Sequence, residues 1–151
     1  MKIKFFLFFL VLLHCSKPSA QEYQDIAQRA FELLQHDSLD QAETEIRKAL
    51  ALQPAIKSNA ILFRYLGQIQ ERKGEYSKAL ESYGMGINLS PTTLGLLLDR
   101  ASLHLRMNNE AKALSDYNDV LSLSAEHTEA LFFRAYIYTQ QRLYKQARTD
   151  Y

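Results

Sequence analysis

The feature that most limits what this chain can fold into is its self-similarity. Blocks begun at Tyr23, Ala60, Leu94 and Thr128 align, with the last two spacings at 34 residues and the first at 37. Lys57-Ser58-Asn59 is therefore an insertion between units. In this frame Ala42, Ala79, Ala113 and Ala147 coincide, as do Ala30, Gly67, Ala101 and Ala135, and the large Ile46, Tyr83, Tyr117 and Tyr151. Pro54 and Pro91 close the first two units, and Ala125 takes that place in the third. The units are 23–56, 60–93, 94–127 and an incomplete 128–151. A unit this short cannot cover its own apolar face, so neighbours must stack.

Each unit reads as two helices. In the first, a large residue is followed by a small one four positions later on the same face: Phe63 with Gly67, Leu97 with Ala101, Leu131 with Ala135. The second brings its own small residue, Ala79, Ala113 or Ala147, and small against small lets helix axes approach closely. Good helix formers dominate, and 5 Gly and 3 Pro are too few for a turn-dense β fold. The expected helices are 23–36, 39–52, 58–72, 76–89, 92–107, 110–123, 128–141 and 144–151. Lys73-Gly74-Glu75 and Asn108-Asn109 supply residues that tolerate left-handed backbone at the turns. Ser90-Pro91 reads as a helix start, with Ser as cap and Pro in the first turn. Gly86 falls where packing asks for a small residue; nothing in the sequence accounts for Gly84.

The pattern from Tyr23 to Tyr151 resembles the tetratricopeptide repeat family. The second unit matches best, with Phe63-x-x-Leu66-Gly67, Gly74-x-Tyr76-x-x-Ala79-x-x-x-Tyr83 and Pro91. Phe63 stands for the usual Trp and Gln70 for the usual Tyr, while the third and fourth units carry Arg100-Ala101 and Arg134-Ala135 in place of Leu-Gly. The resemblance implies an all-α, right-handed superhelix (a solenoid) of about 3.7 helix-turn-helix units, with a concave groove that takes a peptide or a partner's helix.

The first twenty residues follow another rule. Met1-Lys2-Ile3-Lys4 is basic, Phe5 to Leu13 is unbroken apolar sequence, and Lys17-Pro18-Ser19-Ala20 ends on a small residue. Nine apolar residues span about 14 Å as a helix, well short of a ~30 Å hydrocarbon core. Residues 1–20 thus read as a secretory signal peptide cut after Ala20, leaving residues 21–151 as the repeat domain. Leu12-Leu13-His14-Cys15 resembles the lipobox of bacterial lipoproteins, with His14 where Gly, Ala or Ser is usual, and implies Cys15 as an alternative, lipidated start. The expected location is the periplasm or outer envelope. The last helix stops short of its counterparts in the other units, so the natural polypeptide is expected to continue past Tyr151. The alternative function is then an N-terminal sensory or recruitment module of a longer signalling protein or enzyme.

Catalytic chemistry is not legible. The single Cys excludes a disulfide framework and thiolate zinc clusters, and His14, His36, His104 and His127 form no ligand pair. His104 takes the place of a large packing residue and reads as a satisfied, semi-buried imidazole. No phosphate-cradling loop or nucleophile elbow occurs. A net charge of +1 offers no general attraction to nucleic acid, and neither a cofactor nor a metal is expected. A membrane contact would come only through the lipid anchor or a downstream segment.

What remains is a surface for a protein or peptide partner. The face of each first helix opposite its packing stripe carries Phe31 and Gln35, then Arg64, Gln68 and Arg72, then Leu98, Ser102 and Arg106, then Phe132 and Tyr136. Arg64, Arg72 and Arg106 read as a cationic ladder for carboxylates, and Phe31, Phe132 and Tyr136 as aromatic anchors. Chaperone-binding members of the family clamp a C-terminal carboxylate with Lys and Asn on this face. Here Arg64 and Gln68, then Leu98 and Ser102, hold those places, which argues against a cochaperone role.

Overall fold

The computed structural model describes residues 20–151. Cys15 and nearly all of the expected leader lie outside the described residues. Within them the chain forms α1 (Ala20–Gln35), α2 (Leu39–Leu52), α3 (Asn59–Arg72), α4 (Tyr76–Leu89), α5 (Leu94–Arg106), α6 (Glu110–Leu123), α7 (Thr128–Gln140) and α8 (Tyr144–Asp150), with no strand. Helices pair within a unit, α1 with α2 through α7 with α8, and each pair packs on the next. α3 also touches α5 directly, so the first helices line the inner side of the stack.

The turn inside each unit is built the same way four times. Asp37, Gly74, Asn108 and Arg142 hold φ of 57°, 76°, 57° and 60°, the left-handed region that ends a helix. The following amide then donates back across the helix end: Ser38 to the Leu33 carbonyl, Glu75 to Gln70, Asn109 to His104 and Leu143 to Tyr138, at 2.7–2.9 Å. Only Gly74 occupies this region without a steric cost. Arg142 holds it because the frame of its unit demands it.

The recurring small residues sit where the helices touch. Ala30, Ala42, Ala79, Ala101, Ala113, Ala135 and Ala147 are buried, as is Gly67. A Cβ on Gly67 would lie 2.3 Å from the Tyr83 ring, and one on Gly86 2.8 Å from the Leu96 side chain. A Cβ on Gly84 would meet nothing closer than Arg100 at 4.0 Å, so packing does not explain that glycine. Tyr83 and Tyr117 are fully buried, and burial raises both phenols' pKa. Phe63 is only half-buried, packing on the core of the first two units. Tyr151, grouped with the large packing residues by the repeat frame, is exposed just after α8 ends.

Two expectations need correction. Ser90 closes α4 by donating its amide to Gly86 at 3.0 Å, and Pro91 lies in the turn before α5, whose cap is Thr93. Pro91 therefore separates two units and opens no helix. Within the inserted Lys57-Ser58-Asn59, buried Asn59 donates to the Gln53 carbonyl and accepts from the Tyr23 hydroxyl at 2.7 Å. His104, expected as a satisfied and semi-buried imidazole, is buried, and its Nδ1 has no hydrogen-bond partner.

One polar device was not anticipated. Arg29–Glu45, Arg100–Asp116 and Arg134–Asp150 are ion pairs between the two helices of a unit, each spanning sixteen residues, at 3.4, 2.6 and 2.7 Å. In the second unit Leu66 and Ser82 take those places, and the Ser82 hydroxyl donates to Gln70 at 2.7 Å. The Arg-Ala and Leu-Gly variants of the first helix thus correspond to an ion-paired and an uncharged way of closing the unit.

Candidate functional site: the inner face of the first helices

Side chains three and four residues apart on a helix share a face, and α3 and α5 present theirs to one another. Between them lies a pocket of about 390 Å³ lined mainly by Gln68, Glu71, Arg72, Asp99, Ser102 and Arg106. Four of the ten residues expected in the groove, Gln68, Arg72, Ser102 and Arg106, are brought together here. Arg64 stands beside it, tied in through Asp99.

The expected cationic ladder is already occupied. Arg64 donates Nε to Asp99 Oδ2 at 2.7 Å and Nη2 to Oδ1 at 3.1 Å, a two-pronged pair that raises the guanidinium's pKa. Gln68 adds a third bond to Asp99 Oδ2 at 2.8 Å. Arg106 pairs with Glu71, which also accepts from the Tyr83 hydroxyl at 2.6 Å. Arg72 pairs with Asp37 of the first unit at 3.0 Å. Each of these three arginines meets a carboxylate of an adjacent unit, so the pocket is electrically balanced.

The aromatic residues stand at either end. Phe31 is 39% exposed and tilts against Tyr65 with ring centroids 5.9 Å apart, over a shallow depression shared with Ala27 and Ile61. Phe132 and Tyr136 are 53% and 43% exposed on α7, and Phe132 meets Phe133 edge-on at 5.4 Å. Leu98 packs, half-buried, against the core of the last two units. Gln35 is exposed at the end of α1.

Sequence reasoning missed Asp99, Glu71 and Gly95. Asp99 is 35 residues from Arg64, a distance at which no local periodicity links two charges. Gly95 lies one turn before Asp99, and the Arg64 guanidinium crosses it: a Cβ there would be 2.7 Å from the guanidinium carbon. The usable signal was the frame itself, which sets this glycine on the same face as Ile61. No group of three or more His, Cys, Asp or Glu among the described residues could hold a metal ion. No described helix is long and apolar enough to cross a membrane.

The family profile of the tetratricopeptide repeat matches residues 27–85 and 98–151, most of the chain. The chain belongs to the tetratricopeptide repeat family. RNA polymerase II-associated protein 3 of Mus musculus is 31% identical over 117 residues, covering 77% of this tetratricopeptide repeat chain and 17% of that protein. The crystal structure of a tetratricopeptide repeat protein from Parabacteroides merdae is 33% identical, with a TM-score of 0.81, over 86% of this chain and 51% of that one. The first repeat domain of Spaghetti (RPAP3), bound to the HSP90 peptide SRMEEVD, superposes with a TM-score of 0.73 at 16% identity, over 84% of this chain and 98% of that one. That last likeness concerns the fold. The chain spans only part of both longer relatives.

Proposed function

We propose that this tetratricopeptide repeat chain is a non-catalytic scaffold that binds a protein partner along the inner face of its first helices, as an extended peptide or a helix. The observation that carries this reading is the pocket between α3 and α5, with exposed aromatic side chains beyond it at Phe31 and at Phe132 and Tyr136. Aromatic anchors flanking a hydrogen-bonding centre are what a bound segment needs for affinity and register. Stacked helix pairs hold the surface ready, so little ordering free energy is lost on binding. The peptide-bound Spaghetti domain, of the same fold, supports this use of the architecture.

The test is to fill the pocket. Ser102→Trp should abolish capture of whatever partner the wild-type full chain retains from its native source, with helical circular dichroism unchanged. Capture at the wild-type level would place the partner elsewhere on the molecule.

We infer also that the chain is exported to a bacterial envelope. The basic start, the nine-residue apolar run and the small residue at Ala20 support this. Intact-mass analysis of the cellular protein should show loss of residues 1–20, or a lipid-modified Cys15 at the mature start. An unprocessed Met1 or Lys2 terminus would sink the inference.

A further inference from the structure

The central pocket is lined by Arg72 and Arg106, with Arg64 beside it, and all three guanidinium groups are paired with carboxylates; the way this comes about points to a selective role for one residue. We propose that Asp99 is a specificity-determining residue, a resident carboxylate that occupies Arg64 and closes the groove to acidic peptides. The inference rests on the inner-face reading of the binding site and deepens it by excluding one class of partner.

Both Asp99 oxygens are engaged, Oδ2 by Arg64 Nε and Gln68 and Oδ1 by Arg64 Nη2. The pair is partly sheltered, with about a third of the Arg64 side chain and a fifth of that of Asp99 exposed. An incoming carboxylate would need the same guanidinium edge. It could reach that edge only by displacing Asp99, which would leave two like charges side by side in a half-buried place. The neighbouring arginines are paired too, Arg106 with Glu71 and Arg72 with Asp37, but more than half of each of their side chains is exposed, so Arg64 is the sheltered guanidinium of the three.

Gly95 shows that the arrangement is built into the backbone. The guanidinium lies across α5 where a Cβ at position 95 would stand, and it reaches Asp99 one turn farther along. The other units have no such pair. Ala27, Leu98 and Phe132 take the place of Arg64 in the repeat frame, and Gln28, Tyr65 and Phe133 that of Asp99. The device belongs to the joint between the second and third units alone, where the central pocket lies.

The experiment uses fluorescein-labelled SRMEEVD, the acidic peptide of the Spaghetti complexes, as probe, read by anisotropy with the full chain. Wild type should bind no tighter than ~1 mM. Asp99→Asn should bind at least ~10-fold tighter, and the gain should fade as salt is raised. Adding Arg64→Gln should remove the gain. Asp99→Gln, the residue the first unit carries at this place, should reproduce it and serves if Asp99→Asn loses helicity. Tight binding by wild type, no gain in either folded variant, or a gain that survives Arg64→Gln would each overturn the proposal. A partner lost with Ser102→Trp while Asp99→Asn gains nothing would leave the inner-face site standing and reject only its selectivity.

Discussion

The second and third units share one frame and settle their interiors differently. In the second, Gly67 leaves room for the Tyr83 ring to lie against α3, and its hydroxyl reaches Glu71. Gln70 and Ser82 bond each other, so the polar atoms between the helices are matched without an ion pair. In the third, Ala101 replaces Gly67 and Leu105 replaces Glu71. The Tyr117 ring stacks on Phe133 at 5.8 Å, and its hydroxyl is left without a partner. Arg100 and Asp116 stand for Leu66 and Ser82, and His104 for Gln70. A single methyl at the helix crossing accompanies a wholesale change in how buried polar groups are satisfied. The repeat fixes where helices meet; it does not fix which chemistry closes the gap.

That contrast can be broken most forcefully at the ion pair. Asp116→Ala would leave Arg100, three-quarters buried, without its counter-charge, and should destabilise the chain by about 3–5 kcal/mol in chemical denaturation. A loss below about 1 kcal/mol, typical of an exposed pair, would show that the pair is solvated in practice.

The two tyrosines give a smaller and sharper comparison. Tyr83→Phe removes a bond to a carboxylate and should cost about 1–3 kcal/mol. Tyr117→Phe removes a hydroxyl that has no partner and should be neutral or stabilising. Equal losses would erase the distinction drawn between the units.

The smallest effect concerns acid. Burial lowers the pKa of His104 below its ordinary 6.5; nearby Asp116 opposes the shift, while Lys112 and Arg100 add to it. The unfolded chain therefore takes up a proton before the folded one does. This contribution is absent above pH 6.5 and destabilises progressively as pH falls from there toward the folded value. Melting temperatures of wild type and His104→Gln, which installs the second unit's residue, should converge or reverse as pH drops from about 7.5 to 5.5. A constant difference would exonerate the imidazole.

Much of the fold was legible because it is written four times. The alternation of large and small residues sets the helix crossings, and the turn residues fall on the same frame. Helix bounds agree closely, and the differences have local causes, such as the Ser90–Thr93 turn that carries Pro91. The site was less legible. Helical periodicity gave the face on which Gln68, Arg72, Ser102 and Arg106 meet, but it could not say that their charges were spoken for. Arg64 and Asp99 belong to different units, and only the stacking distance of α3 on α5 brings them together. Leu98 was drawn inward for a related reason, since its apolar side chain packs where units touch.

The direct contact of α3 with α5 bears on how the protein comes apart. Every other major helix contact joins elements next to each other along the chain, so the joint between the second and third units carries one contact beyond those of its neighbours. If a neighbouring joint opens, the α3–α5 joint should hold, and amide exchange should be slower there than at the joints beside it. A binding surface centred on it would outlast partial unravelling of its flanks, as a clasp holds after the chain around it has slackened.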